Sequence, residues 1–298
     1  MAGVCLALAL AAAAASALAG SPTAAASRQG MPTARAAAAN VKAIYAGSLV
    51  DIMEKAFGPE FTKATGFPVE GFGGGSNEDA AAIKGKVRQG DVFLSAAASA
   101  DQELEGAANG SWVSWYSTFT SSDLVLGYDP KTKFGRELAR GKPWYKVITE
   151  PGILVGRTEP KADPKGKLTV EAVDAAAKKL HDPSLSKALK RFAIFEETSM
   201  LARLQAGELD AGFFYVVEAK EAHVPTVPLT PVYKYADYTI TILNHSENQA
   251  GAEALVAFLL SSKRKTVESD YGLEPLKPKF SGDAAAVPAG LRSLVGAG

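Results

Sequence analysis

Apolar runs that end at glycine alternate with amphipathic stretches along most of the chain. The run VKAIYAG predicts a strand that ends at Gly47, and LVDIMEKAFGPEFTKATG predicts a helix that breaks at Pro59, since proline has no amide hydrogen for a helix interior. FPVEGF and DVFLSAA predict two more strands, with a helix between them that ends at Gly90 and another helix from about Asp101. This repeated order of strand, glycine-rich turn and helix indicates a parallel α/β sheet.

The alternation resumes in the second part of the chain. It predicts a buried strand in GILVG, a helix in LTVEAVDAAAKKLHD, a helix, strand and helix in SMLARLQAGELDAGFFYVVEAK, a late strand in YADYTITIL, and one long helix in QAGAEALVAFLLSSKRKTVES. We interpret this layout as two lobes, each a mainly parallel sheet flanked by helices, with a ligand cleft between them. Residues 41–122 and 237–298 would form the first lobe and residues 123–236 the second, with crossings in SDLVLGY and KYADYTITI.

The first forty residues have the composition of an export signal. Residues 4–19 are an apolar, alanine-rich run that ends in an Ala-x-Ala cleavage site, although no Lys or Arg precedes it. We therefore predict a signal peptide in residues 1–19 and a disordered leader in residues 20–40, and the sequence leaves open whether the leader is cleaved or kept as an anchor. Cleavage would remove Cys5, the single cysteine in the sequence, so neither a disulfide nor a thiol nucleophile is expected.

Composition and charge help to exclude two classes of binding partner. Hydrophobic residues make up 47% of the chain and charged residues 21%, which is typical of a soluble globular protein. Lys and Arg together number 32, and Asp and Glu together also number 32, so no excess of charge indicates a nucleic acid or an anionic membrane as partner. The composition therefore argues against both classes of partner.

Two serines share one local context of strand, glycine, serine and helix. Ser48 follows Gly47 in AIYAGSL, and Ser76 follows Gly75 in GFGGGSNEDAAA. In an open α/β sheet, ligands bind beyond the carboxyl ends of the strands, where helix N-termini present free amide groups and a partial positive charge. The hydroxyl groups would add donors and the glycines would let the backbone approach closely, which predicts an oxyanion site. The alternative is that each serine only caps its own helix.

A secreted serine hydrolase is the alternative from another functional class. Neither Ser48 nor Ser76 lies in a Gly-x-Ser-x-Gly motif, and His181, His223 and His245 show no spacing typical of metal ligands. A serine without a base placed beside it is a hydrogen-bond donor and not a nucleophile. We therefore predict a binding protein without catalytic residues.

The chain resembles the periplasmic molybdate/tungstate-binding proteins of ABC transporters, within the type II solute-binding proteins. The resemblance covers nearly all of residues 41–275, and the order and spacing of AIYAGSL, GFGGGSNEDAAAIKGK, DVFLSA, DPKGK and LQAGELDAGFFYVVEA carry it. It implies a two-lobed type II fold, molybdate or tungstate as ligand, no cofactor and no resident metal. It also implies an ABC permease as partner, a monomeric state, and a location in the periplasm or at the outer face of the cytoplasmic membrane.

The resemblance further implies a set of ligand-binding residues. Ser48 and Ser76 would bind the oxygen atoms of the anion. Tyr215 would point its hydroxyl group at the anion, although an aromatic residue at the end of a buried strand is as often part of the core. Backbone amides of two loops would complete the site, near Lys165, Glu197 and Thr198.

A site of uncharged donors would hold a dianion through charge-assisted hydrogen bonds. It would reject a protonated oxyanion, because the O–H group of that ion would find no acceptor. This favours molybdate, tungstate or sulfate over phosphate, and binding of sulfate or phosphate is the alternative within the same class.

Asp163 complicates the prediction of specificity. In the archaeal-type branch of the family, an aspartate in a similar turn and a glutamate directly before the tyrosine lie next to the metal of the anion, but here Phe214 occupies the glutamate position. Asp163 is therefore either such a group or a turn residue that caps the following helix. Arg157 and Lys165 are the cations of this loop, and we expect them to be solvated and to steer an anion without touching it.

Overall fold

The first three predicted strands pair side by side at one end of the sheet. β1 (Val41–Ala46) lies between β2 (Val69–Gly74) and β3 (Val92–Ser95), and both pairs are parallel, as expected for strands joined by helical segments. β1 and β3 are almost entirely buried, whereas β2 is the outermost strand and is partly exposed. The computed structural model describes residues 39–262 and 264–298.

Further strands complete a 10-stranded sheet within these residues. They are β4 (Trp115–Tyr128), β5 (Val155–Thr158), β6 (Ala193–Phe195), β7 (Ala211–Tyr215), β8 (Thr226–Pro228), β9 (Tyr235–Ile242) and β10 (Glu274–Gly282). The order is β2-β1-β3-β9-β4-β7-β5-β6, and β8 and β10 also pair with β4. The predicted α/β fold is confirmed. Its parallel pairs lie in the two outer parts of the sheet, while the pairs that include β4 or β9 are antiparallel.

β4 joins two parts of the sheet because it changes partners along its length. Up to Asp123 it pairs with β9 and β10, and from Leu124 it pairs with β7 and β8. β9 lies antiparallel to it, with Tyr235 opposite Asp123. We call β1–β3, β9, β10 and the portion of β4 up to Asp123 the first sheet part. The second sheet part contains β5–β8 and the remainder of β4.

Helices flank both sheet parts, and apolar side chains fill the space between helices and strands. The α-helices are α1 (Val50–Ile52), α2 (Gly58–Thr65), α3 (Ser76–Lys84), α4 (Ala98–Gln102), α5 (Lys133–Ala139), α6 (Trp144–Val147), α7 (Pro164–Lys179), α8 (Ser184–Leu189), α9 (Glu197–Gln205), α10 (Val216–Glu221), α11 (Gln249–Leu259), α12 (Arg264–Tyr271) and α13 (Arg292–Val295). Among the described residues, none of the helices combines the length and the apolar character needed to cross a bilayer.

The chain stays helical through Pro59, so the predicted break is wrong. Between α1 and α2, Met53–Phe57 forms a π-helical turn, in which the amide of Gly58 donates to the carbonyl oxygen of Met53. This wider turn shifts the hydrogen-bonding pattern just before the proline. Pro59 then lies in the first turn of α2, where a missing amide hydrogen does no harm.

Several other predicted boundaries also move. α3 ends before Gly85 and not at Gly90, and α4 begins at Ala98 instead of near Asp101. The predicted buried strand GILVG contributes only its last two residues to β5. Leu154 precedes the strand and is 57% exposed, so this residue is not buried as predicted. The C-terminal stretch predicted as one long helix forms two helices, α11 and α12. Ser261 and Ser262 lie between them, and serine side chains can replace helical hydrogen bonds by binding nearby backbone groups. The predicted signal peptide, Cys5 and almost all of the predicted leader lie outside the described residues.

Candidate functional site

The two glycine–serine turns leave neighbouring strands at the same edge of the sheet. In the parallel register of β1 and β2, Ala46 lies opposite Gly74, and each is followed by a glycine and then by Ser48 or Ser76. β3 ends beside them, and the amide of Ala96 donates to Ser76 Oγ at 3.0 Å. The structure therefore brings the two predicted serines together at the carboxyl ends of adjacent strands, where α/β folds bind ligands.

Neither serine caps a helix with its side chain. Ser48 lies in the 3-10 turn Gly47–Leu49, and its hydroxyl oxygen is 2.8 Å from the hydroxyl oxygen of Tyr238 on β9. Ser76 is the first residue of α3, and its oxygen accepts the hydrogen bond from Ala96. Both serines are buried. The geometry thus does not support the alternative that these serines are only helix caps.

Gly47 and Gly75 let the segments that follow β5 and β6 lie directly against these turns. A Cβ atom at Gly47 would overlap the carboxylate of Glu197, and one at Gly75 would lie 2.6 Å from the carbonyl oxygen of Ala162. We expected the glycines to let backbone approach a ligand, but in the structure they make room for opposing protein atoms. We call Gly47, Ser48, Gly75 and Ser76 the neutral wall of the cleft.

The opposing side of the cleft carries ionisable groups. Lys165 in α7 is completely buried, and its ammonium group donates to Glu197 Oε1 at 3.0 Å and to Glu218 Oε1 at 2.6 Å. The expectation that Lys165 is solvated is therefore wrong. A buried ammonium group needs carboxylate partners, and the first turns of α9 and α10 supply them. We call Asp163, Lys165, Glu197 and Glu218 the charged wall.

Asp163 caps α7 with one of its carboxylate oxygens. Oδ1 accepts a hydrogen bond of 3.2 Å from the backbone amide of Lys165, in the turn whose amides the resemblance assigned to the ligand. Oδ2 is buried and has no hydrogen bond of normal geometry among the described residues, although the hydroxyl group of Thr158 lies close enough to act against the rise in the pKa of Asp163. Burial raises the pKa of Asp163, although the ammonium group of Lys165 acts in the opposite direction.

Glu197 lies where the two walls meet. It is the first residue of α9, and its side chain is only 4% exposed. Oε1 accepts from Lys165, while Oε2 faces Gly47 and is without a hydrogen-bond partner in the described part of the chain. Burial raises the pKa of Glu197 to about 8, Lys165 opposes this rise, and the charge of Glu218 adds to it. Thr198 beside it is exposed and also faces Gly47.

Two buried tyrosines lie next to the walls. Tyr215 ends β7 and Tyr238 lies in β9, with ring centroids 6.0 Å apart and an interplanar angle of 70°. Burial raises the pKa of both residues well above the usual value, so both hydroxyl groups stay protonated. Tyr238 pairs with Ser48, but within residues 39–262 and 264–298 the hydroxyl of Tyr215 has no hydrogen-bond partner. Because buried hydroxyl groups are normally paired, Tyr215 is a candidate donor to a ligand.

Two small cavities border the meeting point of the walls. One has a volume of about 140 Å³ and is lined by Gly47, Ser48, Glu197 and Glu218 among others. The second has a volume of about 220 Å³, and its lining includes Gly75, Asp163 and Glu197. A water molecule occupies roughly 30 Å³ in the liquid, so either cavity has room for a small polyatomic ion.

Sequence analysis missed two members of this arrangement, Tyr238 and Glu218. Tyr238 belongs to a strand that was predicted correctly, but only the return of β9 in the sheet brings its hydroxyl group to Ser48. Glu218 accepts a hydrogen bond of 2.8 Å from the amide of Tyr215. A glutamate at the third position of a helix is a known capping signal and could have indicated this contact, but nothing local indicates its bond to Lys165.

The sequence model of one protein family, described as bacterial extracellular solute-binding protein, matches residues 41–274. A Haloferax volcanii protein named as an ABC transporter molybdenum-binding protein is 32% identical over 201 residues, which cover 67% of this chain and 63% of that protein. The match thus spans less than two thirds of that relative's own length. The molybdate/tungstate-binding protein of Pyrococcus abyssi is 21% identical over 236 residues, covering 62% of this chain and 68% of that protein.

Solved structures show the same fold. The periplasmic molybdate-binding protein of Azotobacter vinelandii superimposes with a TM-score of 0.63 at 19% identity, over 80% of this chain and 100% of that one. This likeness confirms the predicted periplasmic-binding-protein type II fold, and at this identity it concerns the fold alone. The family match extends from the first strand to the beginning of β10, and the chain therefore belongs to the bacterial extracellular solute-binding proteins.

Proposed function

We propose that the protein captures a molybdate or tungstate ion outside the cytoplasm and delivers it to an ABC permease. One observation carries the proposal. Tyr215 Oη, Asp163 Oδ2 and Glu197 Oε2 are buried without partners among the described residues, in the region where the two glycine–serine turns meet the second sheet part. Most buried polar atoms in proteins are paired, and these three lie at the place where the fold binds ligands.

The names of the relatives support the choice of ligand. The Haloferax volcanii relative carries molybdenum in its name and the Pyrococcus abyssi relative carries molybdate and tungstate. The two anions have nearly the same size, so nothing in the cleft favours one over the other.

The proposed site assigns different roles to the two walls. Ser48 and Ser76 donate hydrogen bonds to anion oxygens, and Tyr215 donates from the second sheet part. Gly47 and Gly75 keep the turns close to the opposing wall. The amide groups of Glu197 and Thr198, at the N-terminus of α9, add a partial positive charge. Lys165 contributes its ammonium charge, since its amide already binds Asp163.

Capture would occur by closure of two lobes, residues 41–122 with 237–298 and residues 123–236. The contacts of Gly47 with Glu197 and of Gly75 with Ala162 are those of a closed arrangement. The proposed hinge lies near residues 122–125 and 235–238, where β4 changes partners and β9 begins. Closure would remove the anion from water and present a surface to the permease. We further propose that the protein acts as a monomer in the periplasm or at the outer face of the membrane.

No observation favours a hydrolase. The partners of the two serine oxygens are Tyr238 and the amide of Ala96, and neither is a base. We propose no catalytic residue and no cofactor.

Titration calorimetry with molybdate, tungstate, sulfate and phosphate tests the proposal. We expect tight binding of one molybdate or tungstate per chain and weaker binding of sulfate and phosphate. Tight binding of sulfate or phosphate alone would replace the ligand but keep the class of function. The absence of heat with all four anions would reject the oxyanion function.

A further inference from the structure

Glu197 presents a carboxylate oxygen without a partner among the described residues beside the turn of Gly47 and Ser48, to which the proposed function assigns the anion. Its Oε1 is occupied by Lys165 at 3.0 Å, and its Oε2 faces the turn that carries Ser48. Glu197 also lines both cavities at the junction of the walls. An anion held by Ser48 therefore lies next to Oε2.

The surroundings of Glu197 contain more carboxylates than cations. Lys165 is the cation in contact with it, and Glu218 shares the same ammonium group. The charged and titratable groups that face this region are Asp163, at the N-terminus of α7, and Lys165 of α7, Glu218 of α10, Tyr215 of β7, Tyr238 of β9, Asp51 of α1, Glu78 of α3, Glu159 after β5 and Glu196 before α9. One ammonium charge cannot neutralise two carboxylates and a dianion together, and the low dielectric of a closed cleft strengthens the remaining repulsion.

On the basis of the function proposed above, we propose that Glu197 binds the dianion in its protonated form and donates its Oε2–H group to it, and that where Glu197 is ionised it takes up one proton from solvent as the dianion binds. The O–H bond forms at Oε2, and no other bond is made or broken. Oε1 keeps its hydrogen bond from Lys165, so the side chain need not move. Glu197 thereby changes from a group that repels the ligand into a donor like those of the neutral wall.

The burial of Glu197 supports this role. Burial raises the pKa of Glu197 to about 8, so the protonated form is already populated near neutral pH before any ligand arrives. Lys165 remains charged in both states, because burial lowers its pKa less than Glu197, Glu218 and Asp163 together raise it. A dianion next to Glu197 would raise the pKa of Glu197 further, which couples anion binding to proton uptake.

Calorimetry of the full chain with molybdate, in buffers of different ionisation enthalpy, measures the number of protons taken up. For the wild type at about pH 9 we expect uptake of about one proton per molybdate, and an affinity that falls about tenfold per pH unit above about pH 8. Glu197→Gln can still accept from Lys165 and donate with its amide group. We therefore expect this variant to show no coupled uptake and a much flatter pH profile.

Glu103→Gln is the control, because Glu103 is an exposed carboxylate at the end of α4 and lines neither cavity of the site. It should keep the wild-type profile. Molybdate binding by the wild type without proton uptake would overturn the inference, as would an unchanged pH slope in Glu197→Gln. If Glu197→Gln does not fold, the number of protons that the wild type takes up per molybdate at about pH 9 tests the inference by itself: about one supports it, and none overturns it. Failure of the wild type to bind molybdate at any pH would reject the proposed function and this inference together.

Discussion

The two walls of the cleft solve the problem of burying polar groups in different ways. The neutral wall consists of glycines and serines at strand ends, and its hydroxyl oxygens are paired with an uncharged phenol and a backbone amide. The charged wall buries one lysine among three carboxylates and leaves Asp163 Oδ2 and Glu197 Oε2 without partners in the part of the chain that the structure describes. The hydroxyl oxygens of the first wall already have partners within the protein and only their hydrogens remain available to a ligand, while the second wall has two carboxylate oxygens without any partner in that part of the chain.

This difference assigns the two walls different tasks. A wall of neutral donors can receive an anion without a change of charge, so it suits the first docking step. The charged wall is sensitive to proton concentration and to the loss of a single partner, because the energy of a buried charge depends strongly on its compensation. We therefore expect changes in the charged wall to affect stability and pH dependence, and changes in the neutral wall to affect affinity.

The largest effect is expected for Lys165→Met. This variant leaves Glu197 and Glu218 without their shared cation, and breaking a buried ion pair by removing one partner costs about 3–5 kcal/mol of unfolding free energy. Urea denaturation measures it, and the loss should be greater above about pH 8, where Glu197 is ionised and depends most on the charge of Lys165. Lys167→Met is the control, because Lys167 is exposed on the same helix. Equal stability of the two variants would contradict the description of the charged wall.

A smaller effect is expected for the serines of the neutral wall. Ser48→Ala and Ser76→Ala should each weaken molybdate binding by about 1–3 kcal/mol with the fold intact, since each removes a hydrogen bond to a charged ligand. Calorimetry measures the loss. Ser117→Ala is the control, because Ser117 is buried in β4 and donates to the carbonyl oxygen of Val295. It should lower stability but not affinity. Unchanged affinity in both cleft variants would remove the serines from the site.

The smallest effect is expected for Gly47→Ala, which tests the contact between the walls. The added methyl group would overlap the carboxylate of Glu197, so it should hold the walls apart and weaken molybdate binding by about 1 kcal/mol, at the low end of the range for overpacking because a side chain can rotate away. Calorimetry measures the affinity, and small-angle scattering would show a less closed average shape. Gly290→Ala is the control, since a Cβ atom there meets nothing within 4 Å. Wild-type affinity for Gly47→Ala would show that this contact is not needed for binding.

The neutral wall could be predicted from the sequence because its geometry is local. A strand, a glycine and a serine repeated twice place two turns at one sheet edge as soon as the strands pair in parallel, and Ala46 opposite Gly74 shows that pairing. The exceptions in the same region also have local causes. The π-helical turn before Pro59 replaces the predicted break. It places Pro59 in the first turn of α2, where the proline needs no amide hydrogen, so the chain remains helical.

The sequence alone determined the class of fold, the order of those strands and helices that have clear periodicity, and the two serine turns, because these depend on periodicity and on residues that are neighbours in the chain. Only the tertiary structure decided the charged wall and the pairing of Tyr238 with Ser48. Lys165 is 32 residues from Glu197 and 53 from Glu218, and Ser48 is 190 residues from Tyr238. Whether a lysine is solvated or buried among carboxylates depends on which helices pack together. The residues next to that lysine in the sequence do not indicate this packing.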